Sequence, residues 1–316
     1  MAEDLLPPKV PTFYFVGMTT AKSSIMKVFP AWARHLNLGA PIAGIDCKWH
    51  DTPERYREVV GFIKEHSNAV GALVTTHKID ILSAARDLFD ALGPYADVLG
   101  EVSCISKRGH SLWGHAKDPI TSGLSLEAFL PQDHWASGAE LCILGAGGSS
   151  LALTMYCMEQ AEGRRPQRIV VTNRSQPRLD EMKRIHENVN TGIDVSYHLC
   201  PDSSDNDKVV GMLAPGSVVA NATGLGKDAP GSPLTDAAIF PESGFVWDFN
   251  YRGELVFLDQ ARAQADKRDL TVEDGWVYFI HGWTRVMAEA FHISIPTEGP
   301  EFDELSRIAA EARRSA

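Results

Sequence analysis

The sequence predicts an α/β chain of two domains, each a sheet clothed in helices. Three observations predict it. Short apolar or β-branched runs alternate with stretches of helical periodicity along nearly the whole chain. A glycine-rich turn, Gly145-Ala146-Gly147-Gly148-Ser149-Ser150, sits between one such run and one such helix. The 316 residues are enough for two domains of ordinary size, and a 44% hydrophobic content can supply a core for each.

In the first half, Thr12 to Val16 (TFYFV) is an aromatic, β-branched strand that stops at Gly17. A polar turn through Lys22, Ser23 and Ser24 leads into a helix from Ile25 to Leu36. Ala40 to Cys47 reads as a strand, Pro53 to His66 as a helix, and Ala69 to Thr75 as the next strand. A helix is expected from Ile79 to Leu92 and a turn from Gly93 to Asp97. Two short strands, Gly100 to Ile105 and Ser111 to His115, flank the hairpin turn Lys107 to His110. No Gly/Ser-rich linker follows, so the boundary is placed near Thr121: an N-terminal domain over 1–120 and a second over 121–271.

The second half opens on Leu141 to Leu144, an apolar run too short for an independent helix and therefore a buried parallel strand. Glycines after it let the backbone turn sharply and bring bare N–H groups against a pyrophosphate at the start of the helix Ser150 to Glu159. A second strand, Arg168 to Thr172, ends in Asn173-Arg174-Ser175. There an acid would suit the ribose hydroxyl of NAD, whereas a planar guanidinium suits the 2′-phosphate of NADP. The half therefore reads as a Rossmann-type, doubly wound NADP-binding domain, with NAD not excluded. The plainer readings are a ligand-free turn and a solvated arginine. A helix over Leu179 to Val189 and strands at Ile193 to Tyr197, Ser217 to Asn221 and Phe245 to Phe249 continue the pattern. A helix spans Glu254 to Gln264, and a long apolar helix begins at Thr271 and ends before Pro296. Glu301 to Arg314 is a final amphipathic helix.

The net charge of −11 disfavours nucleic acid and gives no attraction to a membrane surface. The five cysteines are odd in number and lack metal-ligand spacing, as expected of reduced core thiols in a cytoplasmic enzyme. No leader pattern and no apolar run of membrane-spanning length is found. The expected partner is a small-molecule substrate; a homodimer is compatible with this reading, and no metal is expected.

Two polar residues near strand ends of the first half stand out, Lys78 and Asp118, although surface lysines and aspartates usually do nothing. Reduction of a ketone by hydride leaves charge on oxygen and needs a proton donor within reach. Lys78 can supply it, and a carboxylate such as Asp118 would orient the ammonium and favour its charged form.

Taken together, GAGGSS, VVTNRS, NATGLG, the D-x-x-Y of Asp248 to Tyr251, VTTHK and the G-x-x-x-D of Gly114 to Asp118 resemble the shikimate dehydrogenase family, in order and at compatible spacing. The likeness runs from Gly17 to about Pro296 and is most specific in the cofactor half. It implies Lys78 and Asp118 as the catalytic pair. Cofactor contacts fall on Gly145, Ala146, Gly147, Gly148, Ser149, Asn173, Arg174, Ser175, Asn221, Ala222, Thr223 and Asp248, and substrate contacts on Ser23, Thr75, Ser103, Tyr251 and His281. It further implies an active site in the cleft between two α/β domains, with the helices of 272–316 returning to the first.

The chain departs from the family where substrate would be held. One of the two carboxylate-binding serines is kept as Ser23, and the other becomes Ile25. The asparagine of G-A-V-N-T becomes Ser103, and that of N-T-D becomes Ala116. V-T-V-P-F-K is shortened to VTTHK, and His281, Gly282 and Trp283 stand near the family's glutamine. Each lost amide would leave a shikimate hydroxyl unpaired, at roughly 1–3 kcal/mol apiece. The implied function is hydride transfer between NADP(H) and a shikimate- or quinate-like cyclic or polyol acid. Lys22, His77, His115 and Trp283 are candidates for reading the altered substrate, and His281 is alternatively a core histidine. Authentic shikimate 5-dehydrogenation, a regulatory NADP sensor without turnover, and a methylenetetrahydrofolate dehydrogenase-like enzyme are the readings set against it.

Overall fold

The computed structural model describes residues 5–189, 192–227 and 229–314. The chain forms two compact units: one runs to Lys117 and resumes at Ile280, and the other is Asp118–Phe279. The first boundary thus falls three residues before the expected one. The second falls inside a helix, eight residues later than expected.

The first unit comprises β1 (Thr12–Gly17), α1 (Ile25–His35), β2 (Ile42–Asp46), α2 (Pro53–Glu65), β3 (Ala69–Val74), α3 (Lys78–Ala85), β4 (Ala91–Leu92), α4 (Pro94–Leu99), β5 (Cys104–Arg108) and β6 (Ser111–His115). The second comprises α5 (Asp118–Glu127), β7 (Leu141–Leu144), α6 (Gly148–Glu159), β8 (Arg168–Asn173), α7 (Gln176–Val189), β9 (Asp194–Leu199), α8 (Ser203–Val210), β10 (Val218–Asn221), β11 (Phe245–Asp248), α9 (Val256–Arg262), α10 (Ala265–Arg268) and β12 (Thr271–Glu273). Helix α11 (Trp276–Phe291) begins in the second unit and ends in the first, which α12 (Pro300–Arg314) completes.

The second unit's sheet has the order β12-β11-β10-β7-β8-β9, and each of its neighbouring strands pairs in parallel. Counted from β7, this is the doubly wound 3-2-1-4-5-6 order, with its switch point between β7 and β10. Alternate residues of one strand feed opposite cores: Leu141 and Ile143 join one cluster, Cys142 and Leu144 the other. Burial of both faces is why this strand is apolar throughout rather than alternating.

The first unit's sheet has the order β2-β1-β3-β5-β6-β4. Strands β1, β2 and β3 are parallel, while β5 runs antiparallel to both β3 and β6. Within this unit α12 docks on α1, where the Trp32 indole donates to the Leu305 carbonyl at 2.8 Å. Trp283 of α11 meets the Phe15 ring of β1 edge-on at 5.1 Å.

Several expected elements are corrected. The helix expected to reach Leu92 ends at Ala85, because Ala91–Leu92 pairs in parallel with Trp113 and Gly114 of β6. The turn expected at Gly93 to Asp97 is helix α4, started by Pro94 and closed by Gly100 at φ 65°. Thr271–Glu273, expected as helix, is instead an edge strand on β11. The unanticipated α8 is held by a capping box between Asp202 and Asp205. All five cysteines are buried free thiols. Among the described residues, no helix is long and apolar enough to cross a membrane.

Candidate active site

In the second unit the switch point brings two of the expected segments together. Gly145 ends β7 at φ 107°, its N–H donating to the Thr172 carbonyl at 2.8 Å. A Cβ at Gly145 would lie 3.1 Å from the Ala222 carbonyl oxygen and 3.3 Å from the Thr223 nitrogen. Only a glycine combines that backbone angle with so close an approach. Helix α6 then starts from Gly147, which no side chain caps, so its first N–H groups are available to an anion. Gly147 and Gly148 are exposed, Ser149 is half-buried and Ala146 is buried.

At the end of β8 the Asn173 amide donates to the Ser175 carbonyl at 3.2 Å, folding the turn back on itself. Arg174 projects from this turn, exposed and in no ion pair with another described residue.

At the ends of β10 and β11, Asn221 and Asp248 are fully buried. Asn221 Oδ1 accepts from both the N–H and the hydroxyl of Thr223, at 3.1 and 2.7 Å. Both Asp248 oxygens are engaged: Oδ2 accepts from the Asn221 amide at 3.0 Å and Oδ1 from the Asn250 N–H at 2.8 Å. Burial pushes the Asp248 carboxyl up to about 6. The carboxylate expected to touch cofactor therefore braces the Asn221–Thr223 turn. Half-buried Tyr251, expected at the substrate, packs against Trp276 and Phe279 with ring centroids 5.6 and 4.8 Å away.

In the first unit the candidate chemistry gathers where β3 meets α3. Thr76 has φ 65°, rare for a β-branched residue, and the His77 N–H reaches back to the Thr75 carbonyl at 2.6 Å. The Thr75 N–H donates to Val16 of β1 at 3.0 Å, so this tight turn is tied to the neighbouring strand. Lys78, the first residue of α3, accepts at its carbonyl from the Val102 N–H at 3.1 Å. Buried Ser103 donates its N–H to the His115 carbonyl and accepts at Oγ from the Lys117 N–H at 2.8 Å. Thr75, Lys78, Ser103 and Lys117 are thus tied by main-chain bonds and by the Ser103 hydroxyl. Asp118 belongs to the second unit, where it opens α5 and its carbonyl accepts from the Ser122 hydroxyl at 2.7 Å.

Burial pushes the Lys78 ammonium below its usual range, and the carboxylate of Glu101 opposes that shift. Sequence reading missed Glu101. The available signal was an acid between Gly100 and Val102, where the G-A-V-N-T pattern carries alanine.

Ser23 is half-buried just after the turn Thr20–Lys22, Lys22 is exposed, and Ile25 is wholly in the core. Buried His77 sits with Nδ1 3.0 Å from the Tyr56 hydroxyl. His115 is 2.9 Å from the Ser106 hydroxyl and 3.4 Å from Glu289, and burial pushes it down to about 4. His281 is 1% exposed and stacked on Phe302 at 4.4 Å, the setting of a core histidine; burial, then nearby Arg285, push it down to about 4. Among the described residues no cluster of three His, Cys, Asp or Glu side chains could hold a metal ion.

No protein-family model matches the chain. It is similar to the shikimate dehydrogenase (NADP+) of Lactococcus lactis subsp. cremoris, 29% identical over 178 residues, covering 55% of this chain and 59% of that protein. The chain thus matches about three fifths of that relative's length. In fold it is similar to the crystal structure of shikimate dehydrogenase from Aquifex aeolicus, with a TM-score of 0.74 at 17% identity over 98% of this chain and 99% of that one. It is also similar to the ligand-free 5-ketofructose reductase of Gluconobacter sp. strain CHM43, with a TM-score of 0.71 at 18% identity over 97% and 99% of the two chains. These likenesses establish the two-domain fold with a Rossmann-type second domain.

Proposed function

We propose that this protein is an NADP-dependent oxidoreductase of shikimate dehydrogenase type, interconverting a hydroxyl and a ketone on a shikimate- or quinate-like cyclic or polyol acid. The cradle at Gly145, closed by Ala222 and Thr223, and the open start of α6 fit a pyrophosphate; a Cβ at Gly145 would strain the turn. Arg174, with Asn173 and Ser175, fits a 2′-phosphate. When bound, NADPH supplies hydride to the substrate carbonyl carbon.

The chain's own residues do the rest. Lys78 donates a proton from Nζ to the carbonyl oxygen as the C–H bond forms, and takes it back in the oxidative direction. Asp118, assigned by resemblance, is the paired carboxylate. Thr75, Ser103 and Ser23 are the hydroxyls proposed to meet substrate. The loss of one carboxylate-binding serine to core Ile25 supports a substrate other than shikimate itself.

The observation that carries the reading is the position of Lys78: an ammonium on a strained turn, stitched by main-chain bonds to the Ser103 segment, its charge opposed by burial. A nucleotide sensor has no use for a proton donor held at that cost. The test is NADPH oxidation against a panel of cyclic keto acids and polyol ketones, repeated with Lys78→Ala. The expected result is turnover by the wild type and a loss of roughly 10²–10⁴-fold in kcat for the variant, with folding intact. Full-rate turnover by Lys78→Ala would remove the mechanism.

A further inference from the structure

Glu101 has no role in the chemistry described so far, yet it is only 7% exposed. A buried carboxylate is costly unless hydrogen-bonded or paired with charge. Its Oε1 has no hydrogen-bond partner among the described residues. Two main-chain bonds fix its segment: the Val102 N–H donates to the Lys78 carbonyl at 3.1 Å, and the Val74 N–H to the Ser103 carbonyl at 2.9 Å. Glu101 is therefore pinned against the turn that ends in Lys78.

The other ionisable groups around this end of α3 are engaged with one another. On α3 Asp80 accepts from His50 at 2.9 Å, and His77, just before α3, is held 3.0 Å from Tyr56 of α2. Asp51, on the loop after β2, donates its N–H to the same Tyr56 hydroxyl at 3.0 Å. Beyond β6, Lys117 pairs with Glu289 of α11 at 2.8 Å. The Glu101 carboxylate opposes the effect of burial on the Lys78 ammonium.

We propose that Glu101 is a positioning residue for Lys78: a buried, fixed counter-charge that orients the ammonium and keeps it protonated at working pH. The resemblance does not supply this residue, since G-A-V-N-T has alanine at its place. The catalytic consequence rests on the proton-donor role proposed for Lys78; the charge pairing does not.

The test is Glu101→Gln, which keeps the shape and removes the charge, with Glu101→Asp as the charge-retaining control. Trace acetylation of Lys78 across pH, read by mass spectrometry, gives its titration midpoint without requiring turnover. The expected result is a midpoint lowered by about one pH unit or more in Glu101→Gln and largely restored in Glu101→Asp. The high-pH limb of kcat/KM for NADPH oxidation should move by the same amount. An unchanged midpoint in folded Glu101→Gln overturns the proposal. If that variant does not fold, an unchanged midpoint in folded Glu101→Ala or Glu101→Met, each of which removes the charge, overturns it. A midpoint that moves in a protein with no ketone turnover would support the pairing and sink the oxidoreductase reading instead.

Discussion

The side-chain amide of Asn221 donates to Asp248 Oδ2 at 3.0 Å, tying the carboxyl ends of two adjacent parallel strands beneath the glycine turn. Because Asn221 also receives Thr223, the carboxylate acts on the cofactor cradle through the asparagine. Its folded-state value of about 6 lies above the usual 3.8, so the charged form is disfavoured in the fold. The associated penalty is present above pH 6 and relieved as pH falls toward 4. Asp248→Asn should therefore gain about 1 kcal/mol relative to the wild type between pH 5 and pH 7, whatever its absolute stability. Urea unfolding of both proteins at the two pH values measures it, and a pH-independent difference would contradict it.

Arg174 should decide between the two nicotinamide cofactors. A charge-assisted pair to a 2′-phosphate contributes about 1.5–3 kcal/mol, so Arg174→Ala should raise the Kd for NADPH by roughly 10- to 100-fold. The Kd for NADH should barely move. Titration calorimetry with both cofactors gives the comparison, and equal losses would assign the arginine elsewhere.

The two turn glycines should separate folding from binding. At φ 107°, with the Ala222 carbonyl 3.1 Å from a new Cβ, Gly145→Ala should lose about 1–3 kcal/mol of stability. Gly147 has φ −96° and open space around its missing Cβ, so Gly147→Ala should melt like the wild type. Its methyl group would instead stand where a pyrophosphate approaches the backbone, and NADPH affinity should fall. Differential scanning fluorimetry with and without NADPH distinguishes the two.

Acid should loosen the second unit through His186. Its ring lies 2.8 Å from the Thr154 hydroxyl and 2.7 Å from that of Tyr197, and burial pushes it down to about 4. The unfolded chain takes up a proton near 6.5, so stability is full above that pH and is lost as pH falls toward 4. This one histidine should account for about 2 kcal/mol between pH 7 and pH 5, a slope that His186→Gln should lack. Parallel slopes in chemical denaturation would dispose of the assignment.

Legibility tracked the distance over which each feature is decided. The strand, glycine turn and helix of 141–159 were readable because their periodicity and turn chemistry are local. Edge strands β4 and β12, two and three residues long, were not, because only pairing with β6 and β11 makes them strands. Lys78 was singled out through its motif, while nothing local marks Glu101, whose neighbour Val102 bonds a residue 24 positions earlier. The Asp248 motif does not show that Asn221, 27 residues away, engages its carboxylate. His281 is stacked on Phe302, from a helix beyond the break at Pro296.

By itself the sequence determined an α/β chain of two units, a glycine turn shaped for a dinucleotide, an arginine at the second strand's end and a lysine opening a helix. Apolar period, glycine and charge are properties each stretch carries alone. Tertiary structure decided the surroundings of each polar group: Asp248 braces a turn, His281 lies beneath an aromatic ring, and Glu101 is buried on the segment whose Val102 bonds the Lys78 carbonyl. Burial and hydrogen bonding are set by neighbours distant along the chain, and those two quantities decide what a charged side chain can do.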